Sequence, residues 1–143
     1  MAELPFRVQP VLDDEHRFFW TSGEDGHLRF ARCGGCGYWL HPPVPRCPQC
    51  GSREVAPEPV SGRGHVWSCT VNHHSWDGST EPYAIALVEL DEQPGLRLTT
   101  NVVGCPPEEV VIGMRVRVTF EQQGSVWFPL FEPDEGPEAE ARP

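Results

Sequence analysis

From residue 61 onward, apolar and polar positions alternate in short runs set apart by turn residues, the pattern of strands that bury one face. Five runs stand out: 64–71 (GHVWSCTV), 83–90 (YAIALVEL), 96–103 (LRLTTNVV), 114–121 (MRVRVTFE) and 126–131 (VWFPLF). Five strands is the count of an OB-fold barrel. In the fourth run Arg115, Arg117 and Thr119 alternate with Val116, Val118 and Phe120, which predicts one wet face and one dry face. The second run is apolar at nearly every position, so it is expected at the centre of the sheet and covered from both sides.

Upstream the texture differs. Residues 11–22 (VLDDEHRFFWTS) read as a short helix capped by Asp13 or Asp14. Adjacent Phe18, Phe19 and Trp20 cannot share one helix face, so some of them must reach a second surface, in this chain or in a partner. Glu24-Asp25-Gly26 reads as a turn, 27–31 as a short strand and Tyr38-Trp39-Leu40 as a further extended piece. On this reading the chain, mainly β, divides into an N-terminal helical segment 1–26, a small unit 27–60 and the barrel 61–131. An acidic tail, 132–143, lacks an apolar anchor and is expected to be disordered. The 16 prolines and 14 glycines among 143 residues favour turns and short strands, and no apolar run approaches the length of a bilayer span.

The small unit carries the strongest chemical signal. Cys33, Cys36, Cys47 and Cys50 stand as C-x2-C, ten residues, C-x2-C, the spacing by which two knuckles offer four thiolates to one tetrahedral ion. Gly37 and Gly51 follow the knuckles, where a left-handed residue can turn amides back toward a metal-bound sulfur. Paired disulfides would need an oxidising compartment, yet residues 1–10 have neither a basic n-region nor an apolar h-region; a cytoplasmic location is expected. Four thiolates leave no open coordination position, so one structural zinc is the expectation. Iron, with electron transfer, is the rival that purified, coloured protein would reveal. Arg32, Arg46 and Arg53 flank the knuckles, placed either to offset the negative charge of the centre or simply to lie in solvent. His41, between the knuckles, is assigned no ligand role because the quartet is already complete.

Charge narrows the partners. All 11 basic residues are arginine, against 21 acids, and a net charge of −10 should repel nucleic acid and anionic membrane. Residues 27–65 nevertheless hold five arginines against two acids, so single-stranded nucleic acid stacking on Trp67 or Phe120 stays as a minor reading. Catalytic signals are sparse. Cys69 falls in a strand as a small filler, and Cys105 precedes two prolines with no basic residue beside it in sequence to lower its pKa. The loop 72–81 (NHHSWDGSTE) offers His73, His74 and Asp77, but adjacent histidines on an extended chain point apart; the loop reads better as a contact loop bearing Trp76. No nucleophile elbow, phosphate-cradling loop or dinucleotide fingerprint is present.

The order FFW, RCGGCGYWLHPPVPRCPQCGS, SGRGHVWSCTV, EPYAIALVELDE and VVGCPPEEVVIGMRVRVTF resembles the family that joins a rubredoxin-like zinc ribbon to an OB-fold, formerly a domain of unknown function found beside thiolases. The resemblance covers about residues 11–131; Gln93-Pro94-Gly95 departs from the glycine that often follows the family's Asp-Glu pair. It implies a non-catalytic companion subunit of a thiolase-like enzyme dimer, in a hetero-oligomer such as a heterotetramer, supporting retro-aldol cleavage of steroid side-chain acyl-coenzyme A. The alternatives it carries are a companion of a biosynthetic thiolase or of a hot-dog-fold acyl-CoA hydratase. Phe18, Phe19, Trp20, Trp39 and Trp76 are the expected partner contacts, and any contact with the CoA thioester is expected in the groove between ribbon and barrel.

Overall fold

A computed structural model describes residues 7–73 and 81–134, and among these residues two sheets account for the strands. The first is a three-stranded ribbon in the order β2 (Trp39–Leu40), β1 (Arg29–Cys33), β3 (Val55–Pro59), antiparallel throughout. The second closes into a barrel in the order β4 (Arg63–Asn72), β5 (Tyr83–Leu90), β6 (Arg97–Val102), β8 (Val126–Pro133), β7 (Arg115–Gln123), with β7 returning to β4. All barrel pairings are antiparallel except β6 with β8, which run parallel at Val102 and Phe131. This is the five-stranded, partly parallel barrel expected of an OB-fold, and closure removes the unpaired edges that invite aggregation.

Each expected barrel strand is found, and β5 falls on 83–90 as read from the sequence. Its environment differs. Ala84, Ala86, Val88 and Leu90 are buried in the barrel, whereas Tyr83, Ile85, Leu87 and Glu89 are only half-buried, so β5 is central but fully covered on one face alone. In the ribbon, β1 lies two residues further along than expected, running straight into the first knuckle. The strand β3 (VAPEP) has no readable period because it lies on the sheet edge, mostly exposed and tolerant of Pro57 and Pro59.

Two boundaries move. The helix expected over 11–22 is a single turn, α1 (Arg17–Trp20), followed by a 3-10 turn at Ser22–Asp25; Asp13 accepts a bond from the His16 amide at 2.8 Å and so organises the turn before α1. Three aromatics in one helical turn then point in three directions, as a rotation of about 100° per residue requires. The acidic tail begins later than 132. Strand β8 continues to Pro133, and Asp134 is buried, with its carboxylate 3.7 Å from Arg63 and its amide donating to the Arg115 carbonyl. Residues 135–143 lie outside the described residues.

Ribbon and barrel share one apolar core. Phe19, Leu28, Phe30, Trp39 and Val60 belong to the same cluster as Val66, Val88, Leu90, Val116 and Phe131. Across this seam the Gln93 side chain accepts from the Trp39 amide at 2.9 Å and donates to its carbonyl at 3.0 Å. One side chain thus pairs the open edge of β2 as a neighbouring strand would. The departure at Gln93-Pro94-Gly95 is where this chain ties its hairpin to its ribbon.

Candidate metal centre and the aromatic residues

Strand β1 delivers Cys33 to the first knuckle, and the return toward β3 delivers Cys47 and Cys50 to the second. The two knuckles repeat each other. The Gly37 amide donates to the Cys33 carbonyl and the Gly51 amide to the Cys47 carbonyl, both at 2.9 Å, and both glycines hold the left-handed φ, +81° and +78°, that closes so tight a turn. Arg32 donates to the Gly37 carbonyl at 2.9 Å and Arg46 to the Gly51 carbonyl at 3.5 Å, so these arginines brace the knuckles. Arg32 also stacks on Trp39, 4.5 Å from the ring centre. Arg53 is exposed.

The four sulfurs lie within 4.8 Å of one another, with Cys33 and Cys50, and Cys36 and Cys47, each 3.6 Å apart. A tetrahedral ion with metal–sulfur bonds of about 2.3 Å separates its ligands by about 3.8 Å, so the donor set fits zinc in geometry as well as in type. Amides of Gly35 and Cys36 point at the Cys33 sulfur (3.3 and 3.4 Å), and that of Gln49 at the Cys47 sulfur (3.4 Å), as thiolate ligands require. The Cys36 amide, then that of Gly35, carries the Cys33 thiol down to about 6 against the effect of burial. The Tyr38 amide lowers Cys36, but burial and the neighbouring sulfurs outweigh it and push that thiol up to about 12. Four thiolates at this separation repel one another until a cation sits among them. The centre is one closed, structural zinc site.

His41 stacks on Phe30, 4.6 Å between ring centres and 12° from parallel, and tilts against Phe19 at 4.9 Å. Burial, and secondarily the nearby His16, pushes its pKa down from 6.5 to about 4. Between those values the unfolded chain binds a proton that the folded chain refuses. The stability His41 contributes is therefore complete above pH 6.5 and is lost as pH falls toward 4, by up to roughly 3 kcal/mol. Replacing it with phenylalanine should flatten the stability profile over that window relative to wild type, as read from denaturant midpoints at pH 7, 6, 5 and 4.5. Parallel profiles would show that the imidazole is not the group responsible.

The expected contact residues separate. Phe19 is 4% exposed and Trp39 7%, both within this chain's own core, so neither has surface to give a partner. Phe18 and Trp20 are half-buried. Phe18 bridges the ribbon cluster and the main core, and Trp20 packs edge-on against Phe128 at 5.8 Å, covering a third cluster formed by Val126, Phe128 and Leu130 of β8. Trp76, with His74 and Asp77, lies outside the described residues. The seam expected to hold a thioester groove is packed by Phe30, Trp39 and Val60. Trp67, read from the sequence only as a stacking candidate for nucleic acid and left out of the expected partner contacts, is 44% exposed in the middle of β4. Its signal was legible: apolar positions fall at 64 and 66, then at 69 and 71, a slip of one that marks a bulge.

Neither spare cysteine is poised for chemistry. Cys69 donates its thiol to the Val110 carbonyl at 3.7 Å, and burial, then Glu109, pushes the Cys105 thiol up. No helix among the described residues is long and apolar enough to cross a membrane.

Comparison with known proteins places these features. Residues 20–56 match the family model described as ChsH2, rubredoxin-like zinc ribbon domain, and residues 57–121 that described as ChsH2, C-terminal OB-fold domain. The 3-oxo-4,17-pregnadiene-20-carboxyl-CoA hydratase alpha subunit of Mycobacterium tuberculosis is 37% identical over 129 residues, 90% of this chain but 40% of the relative. The chain thus spans less than half the length of that relative. A DUF35 domain-containing scaffold protein of Pyrococcus furiosus is 30% identical over 123 residues, 80% of this chain and 81% of that one. Among solved structures, a chain of "Ltp2-ChsH2(DUF35) aldolase" superposes with a TM-score of 0.78 at 36% identity, over 87% of this chain and 98% of its own.

Proposed function

Because this chain belongs to the ChsH2 family of paired zinc-ribbon and OB-fold domains, we propose that it is a non-catalytic companion subunit of a thiolase-like aldolase acting on the side-chain CoA thioesters of steroids. The observation that carries this reading is the match to nearly the full length of a chain from a solved Ltp2–ChsH2 aldolase. Three features of the molecule support it. The metal site is closed by four protein ligands, the spare thiols are bonded or raised in pKa, and no set of nucleophile, base and orienting group is assembled among the described residues. Bond cleavage then falls to the partner, and this chain contributes interface, with Phe18 and Trp20 as the remaining candidates from the N-terminal segment.

A second reading follows from the M. tuberculosis relative, named as a hydratase alpha subunit: the same ribbon and barrel would attach to a hydratase. Co-expression with the thiolase-like enzyme of the same organism, and separately with its acyl-CoA hydratase, distinguishes the two. The expected result is a complex with the thiolase-like enzyme that survives gel filtration and cleaves its substrate only when both chains are present. Turnover by this chain alone, or separation of the two on the column, would refute the proposal.

A further inference from the structure

The open strand edges of this chain reduce to one. The barrel closes on itself and Gln93 occupies the outer edge of β2, so among the described residues the outer edge of β3 is what remains of the two sheets. Strand β3 pairs with β1 only, and its residues from Ala56 to Pro59 are exposed. Which of its backbone groups look outward follows from the register. The Gly34 amide donates to the Glu54 carbonyl at 2.6 Å and the Val60 amide to the Leu28 carbonyl at 2.9 Å, so positions 54 and 60 turn toward β1. By the alternation of an antiparallel ladder Ala56 and Glu58 turn the same way, and Val55, Pro57 and Pro59 turn outward. Both prolines thus fall where a missing N–H takes nothing from the ribbon's own ladder.

The outer edge consequently offers the carbonyls of Val55, Pro57 and Pro59 but a single amide, that of Val55. A second copy is the strand always at hand, and an edge presented by both copies is self-complementary about a two-fold axis through position 57. In that pairing 57 faces 57 and 55 faces 59. Every bond of the middle pair, and half of those in each flanking pair, would need a donor that proline lacks. The acids do not supply this protection. Glu58 would face Ala56 and Glu54 would face Val60, so no two carboxylates lie directly opposite, and the Arg32 guanidinium already sits 3.4 Å from Glu58. The net charge of −10 repels at a distance but is screened at physiological salt. At short range the prolines are what opposes pairing.

We infer that Pro57 and Pro59 guard the free edge of the ribbon against pairing with a second copy of this chain. The test uses the full, zinc-loaded chain at physiological salt, with sedimentation over a concentration series for wild type, for Pro57→Val combined with Pro59→Val, and for Glu58→Val. Valine suits a strand, and the paired substitution restores both outward donors; Glu58→Val removes a charge and adds strand propensity without adding an outward donor. The double variant is expected to self-associate at least about tenfold more tightly than wild type while keeping its zinc, and Glu58→Val to match wild type. As the double variant associates, its new amides at positions 57 and 59 should become slow to exchange with deuterium. A double variant that associates no more than wild type, or that associates while those amides still exchange freely, would overturn the inference. Equal self-association by Glu58→Val would assign the protection to charge and overturn it as well. Loss of zinc by the double variant would show that the prolines serve the ribbon's own fold instead, and a wild-type dimer that protects the Val55 amide would show the edge already in use; either result sinks the guard.

Discussion

Removing the metal, by chelation or by Cys47→Ser, is expected to unfold far more than the knuckles. Structural zinc bound by four thiolates contributes about 10–16 kcal/mol in small finger domains near neutral pH, as much as the whole stability of an ordinary domain, about 5–15 kcal/mol. In this chain the effect cannot stay local. Phe30, Trp39 and Val60 leave the ribbon to join the barrel core, and Gln93 leaves the barrel to pair with β2, so a melted ribbon uncovers one end of the barrel. The isolated protein should carry one zinc per chain by elemental analysis. The serine variant should lose metal, near-ultraviolet dichroism and partner binding together, with a melting transition at least 15 °C lower or absent. A variant without zinc that melted like wild type and still bound its partner would show that the centre is dispensable.

Gly64→Ala is expected to be nearly as damaging, for a reason invisible to composition. Gly64 is buried where β4 lies between β5 and β7, opposite Leu90 and Val116. A methyl group there would sit 2.2 Å from the Glu89 carbonyl oxygen and 3.1 Å from Val88. The first of these is backbone inside a ladder and cannot swing aside, so the strands must part, at a cost of about 4 kcal/mol or more. Denaturant titration should show the variant largely unfolded or insoluble, while Ser68→Ala, outward on the same strand, stays near wild type. A soluble Gly64→Ala protein with an unchanged midpoint would mean that the barrel closes differently.

The metal site was legible because its information is local: two knuckles and the glycines that close them specify the cage within 19 residues, and the structure supplies only the distances. Strand β5 was legible for a related reason, a run of apolar residues bounded by turns. The helix was overdrawn because an acidic cap and an aromatic run fit a longer segment equally well, whereas the aromatics were recruited by three separate surfaces and one turn sufficed. Strand β3 was missed because an edge strand with prolines carries no alternation.

By itself, the sequence determined the four-thiolate centre, the five-stranded barrel and the absence of a catalytic motif, since each depends on spacing or period along the chain. Only the tertiary structure decided which aromatics look outward. Phe19 and Trp39 vanish into a core common to both units, while Phe18 and Trp20 stay half-buried against separate clusters. Burial belongs to contacts between segments far apart in the chain, and hydrophobicity alone states how strongly a side chain seeks cover without stating whose cover it finds.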